Sequence, residues 1–396
     1  MSVVSPCIGV CVIDSEGLCE GCLRTLHEIG RWSVASDVEK RAILNATFER
    51  GASQKLPPES IQSHLDSLCK PPGSLGYLES LAFELCRIQG SLTPVARPRR
   101  VVVFAADHGV ASRGVTAWPS DVTAAVVGVM VTGRSASGVL ARSSSTDFRV
   151  VNVGCLYLPP VQSDVNRSGS CCYISDPVSA GTADLSVGPA MTRTQFNAAW
   201  RVGAAQADAA ADDGMKVVAA GEMGIGNTTS AACLVTLLTE MTPYESVGRG
   251  AGVSDEGLVI KREIVQRATD RAKHWVDRSD WKGVACEVGG FEIVAMAAFF
   301  VRSSQRRLTI VVDGFIATAA ALLAEKLYPG TASLMIASHL SSESGHMKSL
   351  EALRLTPFLG WSLRLGEATG ALLLMPMLDA AAAIVNEMAK IEDVSP

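Results

Sequence analysis

Five times along this chain a short apolar run rich in Val, Ile or Leu stops at a turn carrying glycine or polar side chains, and helical spacing follows. The runs are Val101 to Ala105, RVVNVGC (149–155), Met215 to Ala220, LTIVV (308–312) and SLMIA (333–337). Apolar runs of this length without polar alternation suit strands buried on both faces, and strands alternating with helices predict a parallel, helix-covered α/β sheet. In such sheets ligands lie beyond the carboxyl ends of the strands. The residues standing there are Asp107-His108-Gly109 after the first run, Asp313 after the fourth, and Ser338, His339, Ser341, Ser342, Glu343 and His346 after the fifth. The Ser338 to His346 group also reads as a polar surface loop, and His108 as a loop histidine bonded locally.

The turn after the third run is GEMGIGNTTS, residues 221 to 230. Glycines at 221, 224 and 226, then Asn227 and two threonines opening an Ala/Leu-rich segment, predict strand, tight turn and capped helix N-terminus. Such a turn can hold an anion, because glycine lets backbone amides approach a ligand and the first helical amides are unpaired and partly positive. Gly224, Ile225, Gly226 and Asn227 are the candidates, with the carboxylate of Glu222 among them; the plainer reading is glycine serving turn geometry alone. A second glycine-rich loop, VGRGAGVSDEG (247–257), opens a helix and brings two cations, Arg249 and Lys261. A nucleoside-triphosphate loop is excluded for want of Gly-Lys-Ser/Thr, and the dinucleotide pattern G-x-G-x-x-G is absent from this loop.

Composition narrows the partners. Net charge is −5 with no long basic run, which argues against nucleic acid. The start lacks a basic, then apolar, leader pattern, and the longest apolar stretches, Gly314 to Ala324 and Gly370 to Leu378, fall short of the roughly 20 residues of a membrane span. A cytoplasmic protein without a membrane span is expected. Eleven cysteines, an odd number, fit thiols in a reducing compartment.

Residues 1–50 read as a separate module. Cys7, Cys11, Cys19 and Cys22, spaced C-x3-C-x7-C-x2-C, suit a closed zinc site or an iron–sulfur cluster, or are four ordinary reduced thiols. An amphipathic helix with Ile29 and Trp32 inward follows, then a capping box from Ser36 to Glu39. Residues 51–60 form a linker by composition. Residues 61–396 form the main domain, with a small helical part (61–98 plus the C-terminal helices) and a large parallel-sheet part (99–360). Asp121 to Leu140 reads as one helix, and 156–178 as irregular.

Taken in order, KPPGSLG, ADHGV, VTAWP, GTAD, GEMGIGNTT, VGRGAG, VGGFEI, VDGFI, SHLSSESGH and LGEATGA resemble nicotinate-nucleotide:dimethylbenzimidazole phosphoribosyltransferases over roughly residues 55–390. The segment 5–44 is similar to a small bacterial cysteine-motif domain of unassigned function. The main resemblance implies a Rossmann-like sheet with a smaller helical domain, a homodimer, no metal or cofactor for catalysis, and nicotinate mononucleotide and a benzimidazole base as substrates. It implies phosphoribosyl transfer giving α-ribazole 5′-phosphate and nicotinate in one inverting displacement. Glu367 corresponds to the general base and Glu222 to a supporting carboxylate; Lys261 and Ser341, near Gly224 to Asn227, hold the 5′-phosphate; Thr116, Trp118 and Pro119 draw in the base. Two departures, Val122-Thr123 running on into Ala124-Ala125-Val126 and Asn152 in VNVG, leave the preferred base open among dimethylbenzimidazole, other benzimidazoles and adenine. The competing readings are a nucleotide phosphorylase or hydrolase, and a binding protein without turnover.

Overall fold

A computed structural model describes residues 5–7, 12–14, 17–19, 22–53, 56–157 and 171–394. Two N-terminal helices, α1 (Leu26–Arg31) and α2 (Asp37–Ser53), precede a hairpin of α3 (Pro58–Ser67) and α4 (Tyr77–Gln89). The chain then runs β1 (Arg99–Ala106), α5 (Asp121–Val131), α6 (Ala136–Ser143), β2 (Asp147–Gly154), β3 (Cys172–Ser175), α7 (Arg193–Asp212), β4 (Val217–Met223), α8 (Asn227–Leu238) and α9 (Pro243–Ser246). It continues through α10 (Asp255–Asp277), α11 (Trp281–Val288), α12 (Phe291–Gln305), β5 (Thr309–Val312), α13 (Phe315–Leu327), β6 (Met335–Ala337), α14 (His346–Ala352), α15 (Thr369–Glu387) and α16 (Ile391–Val394).

The six strands form one sheet in the order β3-β2-β1-β4-β5-β6, and every pairing is parallel. Val103 stands opposite Val150 on one side and Gly221 on the other, so β1 and β4 lie side by side at the centre. This is the doubly wound order, in which connections run outward in opposite directions from the central pair and open a crevice at their carboxyl ends. Side-chain alternation sorts the strands between two cores. Val102, Phe104, Val218, Ala220, Ile310 and Val312 face α7, α8, α12 and α13; Val101, Val103, Val217, Ala219 and Val311 face α4, α5 and α15. The α3–α4 hairpin and α15 thus share a core with the sheet. The KPPGSLG turn ahead of α4 is clasped by buried Glu79, which pairs with Lys70 at 2.8 Å and accepts from the amides of Gly73 and Leu75.

Several sequence expectations are corrected. Cys172–Ser175, read as irregular, is edge strand β3, a four-residue run too short and polar to stand out. The helix expected over Asp121 to Leu140 breaks at Gly133, whose φ is 69°, and restarts with Ser135 as N-cap. Helix α2 carries through Gly51 to Ser53, so the linker composition begins inside a helix. Helix α1 spans only six residues, and Ile29 and Trp32 are half-buried. The apolar stretch read as ending at Leu378 continues to Glu387, because Asp379 is matched by Arg97 and Arg99 and the helix runs on through it. By length and composition, Asp121–Ser143, taken across the break at Gly133, and Thr369–Glu387 are long and apolar enough to cross a membrane; 56% of the apolar 18-residue stretch in each is buried inside the fold.

Candidate active site

The carboxyl ends of β1, β4, β5 and β6 deliver Asp107-His108, Glu222 to Gly226, Asp313 and Ser338 to one side of the sheet, and the chain ahead of α15 adds Glu367. Glu222 sits near the carboxyl end of β4, opposite Phe104. Glu367 belongs to a run of three left-handed residues, Gly366, Glu367 and Ala368, with φ of 81°, 58° and 61°. Only glycine adopts this region without steric cost, so two consecutive non-glycine residues store strain of about 1–3 kcal/mol each. The strain is locked in by close approach: a Cβ on Gly366 would collide with Oε1 of Glu222, and one on Gly221 with the backbone of Ala368. Glu222 and Glu367, far apart in sequence, are thereby packed against each other.

Both carboxyls are buried, and their environments differ. Burial, offset in part by a hydrogen bond from Ser137 and reinforced by Asp313, raises Glu367 to about 7. Its Oε2 accepts from Ser137 Oγ at 3.2 Å, and Oε1 has no protein partner among the described residues. Glu222 is raised well above the carboxylate range, by burial first and then by Glu292, Asp313 and Glu367; Asn227 donates to its Oε2. Asp313 is lifted to about 6 by burial, although it accepts the amide of Ala371 at 3.0 Å. Pairs of acids held at different ionisation points are the arrangement that assigns separate acid–base roles at neutral pH.

The anion side is built on α8. Its N-cap is Gly226, at φ 97°, with no side-chain cap. This corrects the expected polar cap: Asn227 turns its amide to Glu222, leaving the helix's first amides without a side-chain acceptor. Lys261, wholly buried, donates to Thr228 Oγ1 at 2.8 Å and to the Gly248 carbonyl at 3.0 Å, and burial lowers it to about 8. Ser341 is buried, donates to the Leu363 carbonyl, and its amide is accepted by His346 Nδ1 at 2.8 Å. Burial lowers His346 to about 3, so the ring is neutral; its Nε2–H faces Thr318 Oγ1 at 2.9 Å and fixes the tautomer. Ser338 bonds His339 Nδ1 at 3.0 Å.

The remaining candidates are placed as follows. His108 is buried and its Nε2 meets Glu292 Oε1 at 2.7 Å; burial alone would lower it, but the Glu292 carboxylate outweighs that and raises it. Arg249 spends its guanidinium within its own loop, on Asp255 and the Val253 carbonyl, and is half-exposed. Trp118 and Pro119 are exposed and Thr116 half-buried, on a loop whose Gly114 carbonyl lies against Gly257 of α10; no hydrogen bond among the described residues ties them to Glu367. Cys19 and Cys22 are buried and share a tight turn, with Leu23 N–H donating to the Cys19 carbonyl at 2.7 Å; Cys7 is exposed, and Cys11 lies outside the described residues. Among the described residues no group of three or more His, Cys, Asp or Glu could hold a metal ion.

Sequence reasoning missed Glu292 and Ser137. Glu292 is wholly buried in the apolar first part of α12, and a lone acid in such a run is a signal of a paired charge. Ser137 carried no signal, being one serine among several.

Residues 54–395 match the profile of a family described as phosphoribosyltransferase, and residues 5–51 one described as a protein of unknown function. The nicotinate-nucleotide–dimethylbenzimidazole phosphoribosyltransferase of Cupriavidus necator is 43% identical over 335 residues, covering 84% of this chain and 93% of that one. Its counterpart in Thermus thermophilus is 43% identical over 323 residues, covering 81% and 93%. A crystal structure of CobT from Thermus thermophilus superposes with a TM-score of 0.78 at 41% identity, covering 85% of this chain and 97% of that one. The chain therefore belongs to the nicotinate-nucleotide–dimethylbenzimidazole phosphoribosyltransferase family.

Proposed function

We propose that the protein transfers phosphoribose from nicotinate mononucleotide to 5,6-dimethylbenzimidazole or a related base, giving α-ribazole 5′-phosphate and nicotinate. The observation that carries this reading is the Glu367–Glu222 pair at the sheet's switch point, with Glu367 held at about 7 and one of its oxygens free of protein partners among the described residues. The donor already carries a cationic pyridinium leaving group, so its departure needs no acid. The incoming base must lose its ring proton as the other nitrogen attacks C1′, and a carboxylate near neutral pKa does this best. Glu367 takes that proton. Glu222 supports the positive charge that grows on the sugar, since that charge favours its ionised form. One displacement inverts the anomeric carbon, which fits a β donor and an α product.

Lys261 and Ser341, with the turn from Gly224 to Asn227 beside them, hold the 5′-phosphate, and Thr116, Trp118 and Pro119 border the base. Arg249 is left to brace its own loop. We assign the active form to a cytoplasmic homodimer, which sedimentation tests. Cys7, Cys19 and Cys22 do not form a metal-ready group as they stand, so a zinc ion or iron–sulfur cluster on them and Cys11 would have to draw them together, and metal analysis of purified protein tests it.

Incubation with nicotinate mononucleotide and a panel of benzimidazoles and purines, with products identified by mass, tests the reaction and reads out the preferred base. Failure to form any ribotide sinks the proposal in favour of a binding protein. Glu367→Gln is expected to retain nicotinate mononucleotide and lose at least about a hundredfold in turnover, the usual contribution of a general base.

A further inference from the structure

The proton that Glu367 removes must leave before the next turnover, and Glu367 is only 7% exposed. On the side of its Oε2 stands a short line of hydroxyls. Ser137 Oγ, wholly buried, donates to Glu367 Oε2 at 3.2 Å, and Ser135 Oγ lies 2.9 Å from Ser137 Oγ. Ser135 is the N-cap of α6, where its Oγ accepts the Gly138 amide at 3.0 Å and keeps its own proton to give. It is 8% exposed, and its chain neighbours Arg134 and Ala136 are exposed. The three oxygens therefore form a line from the base to Ser135, which sits at the α5–α6 break between two exposed residues. Hydroxyls suit this use because each is both donor and acceptor.

The geometry points to Ser137 and Ser135 as a proton relay that resets Glu367 after each transfer. The inference rests on Glu367 being the base. In the transfer step the benzimidazole N–H bond breaks and its electron pair returns to the ring. Glu367 gains the proton, the other ring nitrogen bonds C1′, and the C1′–pyridinium bond breaks with its pair going to nicotinate. A half-turn of the carboxyl about its soft terminal torsion presents the protonated oxygen to Ser137. That proton moves to Ser137 Oγ, the Ser137 proton to Ser135 Oγ, and the Ser135 proton to solvent, so each hydroxyl ends with one proton and Glu367 with none. Ser137 and Ser135 touch no substrate in this scheme and act through Glu367.

The two serines separate by test. Ser137→Ala removes both the relay and a hydrogen bond that favours ionised Glu367. It is expected to lower kcat about tenfold and move the acid limb of the pH–rate profile up by about one unit. Ser135→Gly removes the outer hydroxyl while costing the helix cap little. It should lower kcat severalfold, leave the acid limb in place, abolish part of the solvent deuterium effect on kcat, and be rescued by small buffer acids and bases. Ser135→Thr, which keeps hydroxyl and cap, should match the parent. Either serine variant behaving as the parent in kcat and isotope effect overturns the relay, and a Ser135→Gly defect that buffer does not relieve does so too. Glu367→Gln run alongside keeps the two readings apart. An inactive Glu367→Gln with parent-like serine variants leaves the base assignment standing and removes the relay, whereas an active Glu367→Gln removes both.

Discussion

At the scale of single residues, the site is an exercise in holding charges away from their ordinary ionisation points. Glu367 at about 7 must be deprotonated to accept a proton, and Lys261 at about 8 must be protonated to hold a phosphate. The base gains competence as pH rises through the first value, and the cation is lost as pH rises through the second. The profile of kcat/KM is therefore expected to be bell-shaped, with limbs near pH 7 and pH 8, and Glu367→Gln should lack the acid limb. A profile flat from about pH 6 to 9 would contradict both assignments. The His108–Glu292 pair belongs to the same scale. Among the described residues, His108 Nδ1 and Glu292 Oε2 have no hydrogen-bond partner, so the pair's stability depends on the single contact between them.

Among the elements, the tightest crossing is that of α7 on α12. Gly203 of α7 faces the backbone of Ala295, and any Cβ there would overlap the Ala295 carbonyl. Gly203→Ala gains about 1 kcal/mol of helix propensity. Forcing the helices apart costs more, about 1–3 kcal/mol or above for a clash against backbone that cannot rotate away. The variant is expected to unfold at lower denaturant concentration, and a midpoint equal to the parent would show that the helices can shift freely. Strands and long helices were the elements most legible in the sequence, because two-sided burial writes itself as an unbroken apolar run. The break between α5 and α6 and the edge strand β3 were not. Gly133 is one glycine in an apolar helical pattern, and β3 is half-exposed and takes its place only by pairing with β2.

For the whole molecule, the N-terminal segment and the catalytic part meet different fates. The curated relatives match over 81–88% of this chain but 90–96% of their own length, and the phosphoribosyltransferase profile starts at residue 54. A protein beginning at residue 54 is therefore expected to keep parent-like kcat and KM and to lose any bound zinc or iron, as judged by activity and metal analysis. Loss of turnover would instead make the cysteine segment part of the catalytic unit.

Much was determined by the sequence alone. Apolar runs and glycine turns are local signals, so the parallel α/β class, the strand ends bearing Asp107, Glu222, Asp313 and Ser338, and the family resemblance were all legible in it. Which of those ends face one another was decided only in three dimensions. Gly366 and Gly221 allow two chain segments to approach more closely than any side chain would permit, and that approach sets Glu222 beside Glu367. The Glu292 contact with His108, the Lys261 contact with Thr228, and the Ser137–Ser135 line beside the base have the same origin. Each joins residues through burial and hydrogen bonding across elements, and no spacing along the chain encodes a desolvated contact between segments that meet only when the sheet is wound.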